Sequence, residues 1–179
     1  MTETLTTLFS FGTILLNIST VLLLLSYILW KDRLIKKSSL AKNVIDRAVL
    51  ISFFLSLFSV LGSLYFSEIA KYTPCKLCWF QRILMYPLPL LFGISLWKKK
   101  RDVIYYTLPM TIIGSFIALY HYYIQIYPSE ILPCSSVGYS ASCSDRFVTN
   151  YGYITLPFMS LSVFVFVSLV LYFKLRIKK

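Results

Sequence analysis

The sequence predicts an all-α integral membrane protein with five transmembrane helices, and three observations carry that prediction. Of 179 residues, 58% are hydrophobic and 14% charged, against roughly 25% charged in ordinary soluble domains. Five apolar runs, 8–30, 48–66, 79–97, 103–127 and about 155–173, approach or exceed the ~20 residues that a helix needs to cross the hydrocarbon core. Within those runs Arg82 is the one Asp, Glu, Lys or Arg. The runs are continuous and show no alternation of period two, which excludes a barrel of strands. A spanning backbone must then close its hydrogen bonds inside helices.

Taken in order, the first run follows seven residues without a basic side chain and is not followed by a small-x-small site. It reads as an anchor inserted N-terminus outward, not as a cleaved signal peptide. The second run, 48–66, is uninterrupted. The third contains Pro87 and Pro89 and the fourth Pro109; membrane helices tolerate such kinks where neighbours satisfy the freed carbonyls. The fifth run leads into the C-terminal tail.

Basic residues set the orientation. Segment 31–47 holds six Lys or Arg, 98–101 four and 174–179 four, whereas the N-terminal residues hold none, 67–78 two and 128–154 one. Loops rich in Lys and Arg stay cytoplasmic, so the N-terminus lies outside and the C-terminus in the cytoplasm. The net charge of +11 is thereby a topology signal, and no nucleic-acid partner is expected.

This orientation places Cys75, Cys78, Cys134 and Cys143 together on the outer face, where disulfides persist. Cys75 and Cys78 belong to Pro-Cys-Lys-Leu-Cys-Trp-Phe-Gln-Arg at 74–82, just before the third run. A C-x-x-C pair serves as a redox disulfide, as half of a zinc site, or as two unrelated thiols. The gaps between the four cysteines, two, 55 and eight residues, depart from the usual zinc ribbons, and no metal is expected. A structural disulfide over two residues constrains little. The redox reading gains from position. Cys78 sits at a helix N-terminus, whose dipole favours an anion, and Arg82 lies one turn along the same face, where a cation stabilises a thiolate. Arg82 also reads as an interfacial arginine snorkelling to headgroups. That explains its tolerance but not its alignment with Cys78, and charges within spans are functional candidates by default. The second cysteine pair lies in a Ser- and Gly-containing loop, 133–143, flexible enough to close on itself.

His121 is the chain's one histidine, which excludes a bis-histidine haem. It falls near the outer end of the fourth run, with Gln125 one turn later on the same face. A lone histidine of this kind is more often a packed, hydrogen-bonded residue than a catalyst. The surrounding tyrosines read as an interfacial belt, or as walls for a flat apolar ligand.

The block Pro-Cys-x-x-Cys-Trp-x-Gln-Arg followed by Met-Tyr-Pro-Leu resembles the DsbB/BdbC family of membrane thiol:quinone oxidoreductases. So do the stretch from His121 through Ile-Gln-Ile-Tyr-Pro to Cys134 and the Gly-Tyr-Ile-Thr-Leu-Pro-Phe segment at 152–158. The resemblance covers roughly 48–173 and is nearer the short-loop Gram-positive type. It implies a four-helix thiol oxidoreductase unit over 48–179, preceded by one extra transmembrane helix and a basic cytoplasmic loop over 1–47. It also implies a multi-pass protein of the bacterial cytoplasmic membrane. By the same resemblance Cys75–Cys78 hands electrons to a quinone (ubiquinone or menaquinone), with Cys78 beside the ring and Arg82 stabilising its thiolate and polarising a quinone carbonyl. His121 and Gln125 match positions near the quinone. Cys134 forms the mixed disulfide with a thioredoxin-fold thiol oxidase, and Cys143 completes the second pair.

Two other classes compete. A non-catalytic membrane scaffold accounts for the helices but not for Arg82 beside Cys78. A small transporter with disulfide-stapled outer loops wants polar groups near the bilayer midplane, and the runs offer none at that depth.

Overall fold

A computed structural model describes residues 2–30, 47–99, 102–127 and 141–177. Cys134 lies outside the described residues, as do most of the basic segment 31–47 and residues 100, 101, 178 and 179. The helices are α1 (Thr2–Trp30), α2 (Ala48–Leu64), α3 (Lys76–Met85), α4 (Pro87–Lys98), α5 (Val103–Ile126) and α6 (Leu156–Ile177). They supply five stretches long and apolar enough to cross a membrane: Glu3–Ile28, Ala48–Ile69, Lys76–Lys98, Val103–Ile126 and Leu156–Arg176. The protein is an all-helical, multi-pass membrane protein, as the apolar runs predict. Among the described residues the only β pairing is an isolated bridge between Asn150 and Ile154.

Two boundaries differ from the sequence reading, each for a local reason. Helix α1 begins before the apolar run, with Glu3 in its first turn, where the helix dipole favours a negative charge. Thr6 and Thr7 satisfy their hydroxyls on the Glu3 carbonyl, both at 2.8 Å, and Ser10 on that of Thr6 at 2.7 Å. The third span is two helices, not one. Pro87 has no N–H to donate, so α3 closes with Tyr86 N–H on the Arg82 carbonyl (2.8 Å) and α4 restarts with Pro87 in its first turn. Pro109, by contrast, sits inside an unbroken α5. Helix α2 ends in a π turn, Tyr65–Ile69, and Lys71, at φ 59°, then turns the chain toward Cys75.

Lipid is as apolar as leucine, so close packing rather than exclusion of water holds these helices together. The core joins α3 to α6 through Met85, Leu88, Phe92, Ile104, Ala118, Phe164, Val167 and Leu171. Gly114 is what lets Phe164 lie on α5: a Cβ there would stand 2.5 Å from the ring. Helix α1 packs along α6, with the Tyr27 and Phe173 rings 5.0 Å apart. A tight reversal at Tyr151 (φ 53°) and Gly152 (φ 78°) leads into α6. From its base, Asn150 Nδ2 donates to Ser10 Oγ of α1 at 2.8 Å.

Candidate functional site

The site is built on the N-cap of α3. Cys75 has extended backbone (φ −80°, ψ 174°) and its sulfur accepts from the Cys78 N–H at 3.4 Å, the position a capping serine or aspartate oxygen takes. The C-x-x-C spacing is the N-cap to N3 spacing, which also brings the two sulfurs to 3.3 Å. Both are free thiols. The helix N-terminus favours negative charge on the capping sulfur.

Helix α5 brings a second donor to the same sulfur. His121 is buried, its Nε2 lies 3.5 Å from Cys75 Sγ, and its Nδ1 lies 2.8 Å from Gln81 Nε2. The Gln81 carboxamide oxygen in turn accepts from Ser160 of α6. An amide nitrogen can only donate to Nδ1, which places the ring proton on Nε2, toward the sulfur. The Cys75 thiol is thereby pushed down from 9.0 to about 4. The hydrogen bond from the Cys78 thiol is the largest cause; burial opposes it, and the His121 hydrogen bond adds to it.

The third component is Cys143, which is buried and disulfide-bonded. Its sulfur, the Cys75 sulfur and a His121 ring nitrogen all lie within 4.8 Å of one another. The loop that carries Cys143 is fastened to α5 by Gln125. The Gln125 amide donates to the Asp145 carbonyl at 2.9 Å, and Arg146 Nε donates to the Gln125 carbonyl at 2.8 Å, seconded by Arg146 Nη2. A cavity of about 20 Å³ remains between Cys75, Cys78, His121 and Gln125. Cys143, His121 and Cys75 are metal-ligating residue types, but Cys143 is committed to its disulfide. The two ligands left of that triad fall short of the four that a structural zinc site takes.

Arg82 looks the other way, and Cys78 borders both sides. They line a slot of about 580 Å³ between α1, α2, α3 and α6. Arg82 Nη2 donates to the Ser63 carbonyl at 3.2 Å, and the guanidinium lies over the Trp79 ring, 5.3 Å from its centre. Most of the slot is apolar, walled by residues such as Leu16, Phe58, Phe66 and Val163. His121 and Gln125 do not line it; they belong to the Cys75 side. The sequence places the thiolate at Cys78, next to Arg82. In the structure the sulfur donors converge on Cys75, because the capping geometry and His121 both face that sulfur while Arg82 is drawn to Ser63. Gln81, Ser160 and Ser63 were not singled out in the sequence. Gln81 had a usable signal: it is a polar residue in an apolar run, three positions after Cys78 and so on the same face.

A family model described as "Disulfide bond formation protein DsbB" matches residues 46–173. The chain is 48% identical over 118 residues to "Disulfide bond formation protein C" of Bacillus subtilis (strain 168), covering 65% of this chain and 83% of that protein. It is 40% identical over 123 residues to a "Probable disulfide formation protein C" of Halalkalibacterium halodurans, covering 69% of this chain and 89% of that one. It is 45% identical over 111 residues to the "SPbeta prophage-derived disulfide bond formation protein B" of Bacillus subtilis (strain 168), covering 62% and 74%. No solved structure matches the chain.

Proposed function

The chain belongs to the DsbB family of disulfide bond formation proteins, a membrane disulfide oxidoreductase by that membership, and from this premise we propose that it reoxidises a thioredoxin-fold thiol oxidase outside the bacterial cytoplasmic membrane and passes the electrons to membrane quinone. One observation carries the reading. The two sulfurs of one C-x-x-C pair have different surroundings: Cys75 lies within 4.8 Å of the Cys143 disulfide sulfur, and Cys78 also borders the apolar slot.

The exchange steps follow from that placement. The partner's thiolate attacks Cys134, breaking its bond to Cys143. The partner's second thiol then resolves the mixed disulfide, so the partner is oxidised and Cys134 and Cys143 are reduced. The Cys143 thiolate attacks Cys75 of an oxidised Cys75–Cys78 pair, and Cys78 leaves as thiolate. Cys134 next attacks Cys143 and expels Cys75. Two electrons have moved from the partner to Cys75 and Cys78, with Cys134–Cys143 restored. A thiol of low pKa is the better leaving group, and Cys75, held at about 4, is the one expelled. His121, oriented by Gln81, steadies that thiolate, and Gln125 holds the Cys143 loop within reach.

The slot suits a quinone. Its volume falls in the roughly 300–1,000 Å³ range of ligand pockets, its wall carries Cys78, Gln81, Arg82, Ser63 and Ser160, and most of its lining is apolar. Quinone bound there would take up two electrons and two protons as the Cys75–Cys78 bond re-forms. Arg82 would hold the ring oxygen: one guanidinium donor is engaged by Ser63, and a planar fork of five leaves others to point into the slot. The test is to mix the purified protein, in nanodiscs, with a reduced thioredoxin-fold oxidase and either ubiquinone or menaquinone. Oxidation of the partner that needs both this protein and quinone is expected; oxidation that ignores quinone overturns the reading.

A further inference from the structure

Helix α1 lies wholly outside the residues matched by the family, yet it forms a wall of the slot that opens at Cys78 and Arg82. Accepting the quinone reading of that slot, we propose that α1 completes the quinone site of this chain and forms one jamb of a lateral doorway through which an isoprenoid quinone enters from the lipid.

The doorway is visible in how α1 meets α2. Near the cysteine end Phe9 closes on α2: its ring reaches Gly62, where a Cβ would stand 2.9 Å away, and its centre lies 5.8 Å from that of Phe66. Toward the other end Leu16 and Leu23 join the cluster of Ala48, Phe166 and Val170, to which Ile51 and Leu55 also belong. Over this stretch both helices line the slot, α1 from Leu8 to Ser19 and α2 from Leu55 to Ser63. Its margins, Leu15 on α1 and Phe58 on α2, are 53% and 60% exposed, facing the lipid. From Leu8 to Ser19, the first and last α1 residues of the wall, the helix rises about 16 Å. That is longer than a ring requires and leaves apolar wall for the first part of an isoprenoid tail.

Gly12 is the position that makes the idea testable. It lines the slot, and a Cβ built on it meets nothing within 4 Å. A side chain there starts on the slot's lining, and its first carbon displaces no protein atom. Glycine is among the poorest helix formers, so leucine at this position favours α1.

The experiment uses the full chain in nanodiscs. Quinone binding is read by the rise in melting temperature on adding an isoprenoid quinone and by quenching of tryptophan fluorescence, with the Michaelis constant for quinone measured alongside. Gly12→Leu should weaken binding and raise that constant about tenfold, the equivalent of about 1.4 kcal/mol. Its melting temperature without quinone should match the wild type. Phe11→Ala, on the lipid side of the same helix and outside the slot, should change neither. A quinone bearing a photoreactive azide on its tail should cross-link to the peptide 2–30 of the wild type; this measurement decides the matter if Gly12→Leu folds poorly. Unchanged binding by Gly12→Leu, or cross-links that avoid 2–30, would overturn the proposal. So would displacement of a slot-bound lipid by Gly12→Leu with quinone binding intact, since the slot would then hold acyl chain. Failure of the wild type itself to bind quinone would sink the quinone reading and is a distinct result.

Discussion

Cys75 borders a packed cavity in which Cys78, His121 and Gln125 leave about 20 Å³ of free space, whereas Cys78, 3.3 Å away, also borders a slot of about 580 Å³. On the function proposed above, the contrast follows from what each reactant needs. Thiol–disulfide exchange requires a thiolate and a disulfide sulfur in contact, and its rate depends on the protonation of both sulfurs. Hydrogen-bond donors and a fixed loop serve it, and open space does not. A lipid-borne ligand needs room, apolar walls and a few polar groups that fix its orientation. A pair joined by two intervening residues at a helix N-terminus serves both because its sulfurs touch, one bordering only the packed side and the other also the slot.

The largest expected effect breaks the crowded side alone. Cys143→Ser should lower oxidation of the partner by about a thousandfold or more, as loss of a covalent nucleophile does. A small dithiol that reduces Cys75–Cys78 directly should still be oxidised with quinone. Stopped-flow with each reductant separates the two. Full partner oxidation by Cys143→Ser would remove the Cys143 loop from the path.

The open side should respond separately. Arg82→Gln keeps a polar side chain but removes the charge, and a hydrogen bond to a charged group contributes about 1.5–3 kcal/mol. The Michaelis constant for quinone should rise about tenfold to a hundredfold, with Arg82→Lys restoring part of it, because a point charge does not replace a planar fork. Partner-to-protein exchange measured before quinone is added should change little. Equal losses in both half-reactions would show that the two sides are not independent.

A subtler probe acts on Cys75 through its donors. With the thiol at about 4, attack by the reduced Cys75 on a disulfide, the reverse of its expulsion, should be nearly flat from neutral pH down and fall only as pH approaches 4. His121→Phe should move the Cys75 thiol up toward its ordinary range and slow exchange about tenfold at neutral pH. The same shift enters stability. A depressed pKa means the native thiolate stabilises the fold fully above the unfolded value of 9.0, and that contribution is lost as pH falls through about 4. The melting temperature of the reduced wild type relative to Cys75→Ser should therefore decline between pH 9 and 4. A flat difference over that window would contradict the hydrogen-bonding account of Cys75.

The part of this arrangement legible in the sequence is the part that depends on local spacing. Five apolar runs give five spans because the bilayer allows few alternatives, and Arg82 shares a face with Cys78 because residues four apart do so on any helix. The break at Pro87 was signalled by its missing N–H, though a kinked helix and a divided one read alike in one dimension. What the residues do not encode locally is the meeting of His121 with Cys75, since it depends on how α3 packs against α5. Nor does spacing say which thiol takes the charge: the dipole and Arg82 suggested Cys78, but the N-cap geometry and a histidine 46 positions away act on Cys75. The α1 wall was equally hidden. Its face of Phe9, Gly12, Thr13 and Leu16 is no different in composition from a lipid-facing one, and only its neighbours make it a wall.

The smallest expected effect concerns how α1 is held to the rest of the chain. Asn150 donates to a fully buried Ser10, whose hydroxyl is already committed to the Thr6 carbonyl. Asn150→Ala removes one neutral hydrogen bond and leaves Ser10 with an accepting oxygen unmet, at a cost of about 1 kcal/mol. Residue 150 is not among those lining either the slot or the smaller cavity, so exchange with the partner should keep its rate. If α1 rests partly on this bond, the cysteine end of the helix loosens and the slot widens beside Phe9. The Michaelis constant for quinone should then rise about twofold, and protease sensitivity of the segment before Ser10 should increase. Ser10→Ala tests the same contact from the other partner and, because the two side chains share one bond, the effects should be non-additive, costing little more in combination than either change alone. Independent, fully additive effects would mean that Asn150 stabilises its own turn, through the bridge to Ile154, and that α1 is held by its packing along α6.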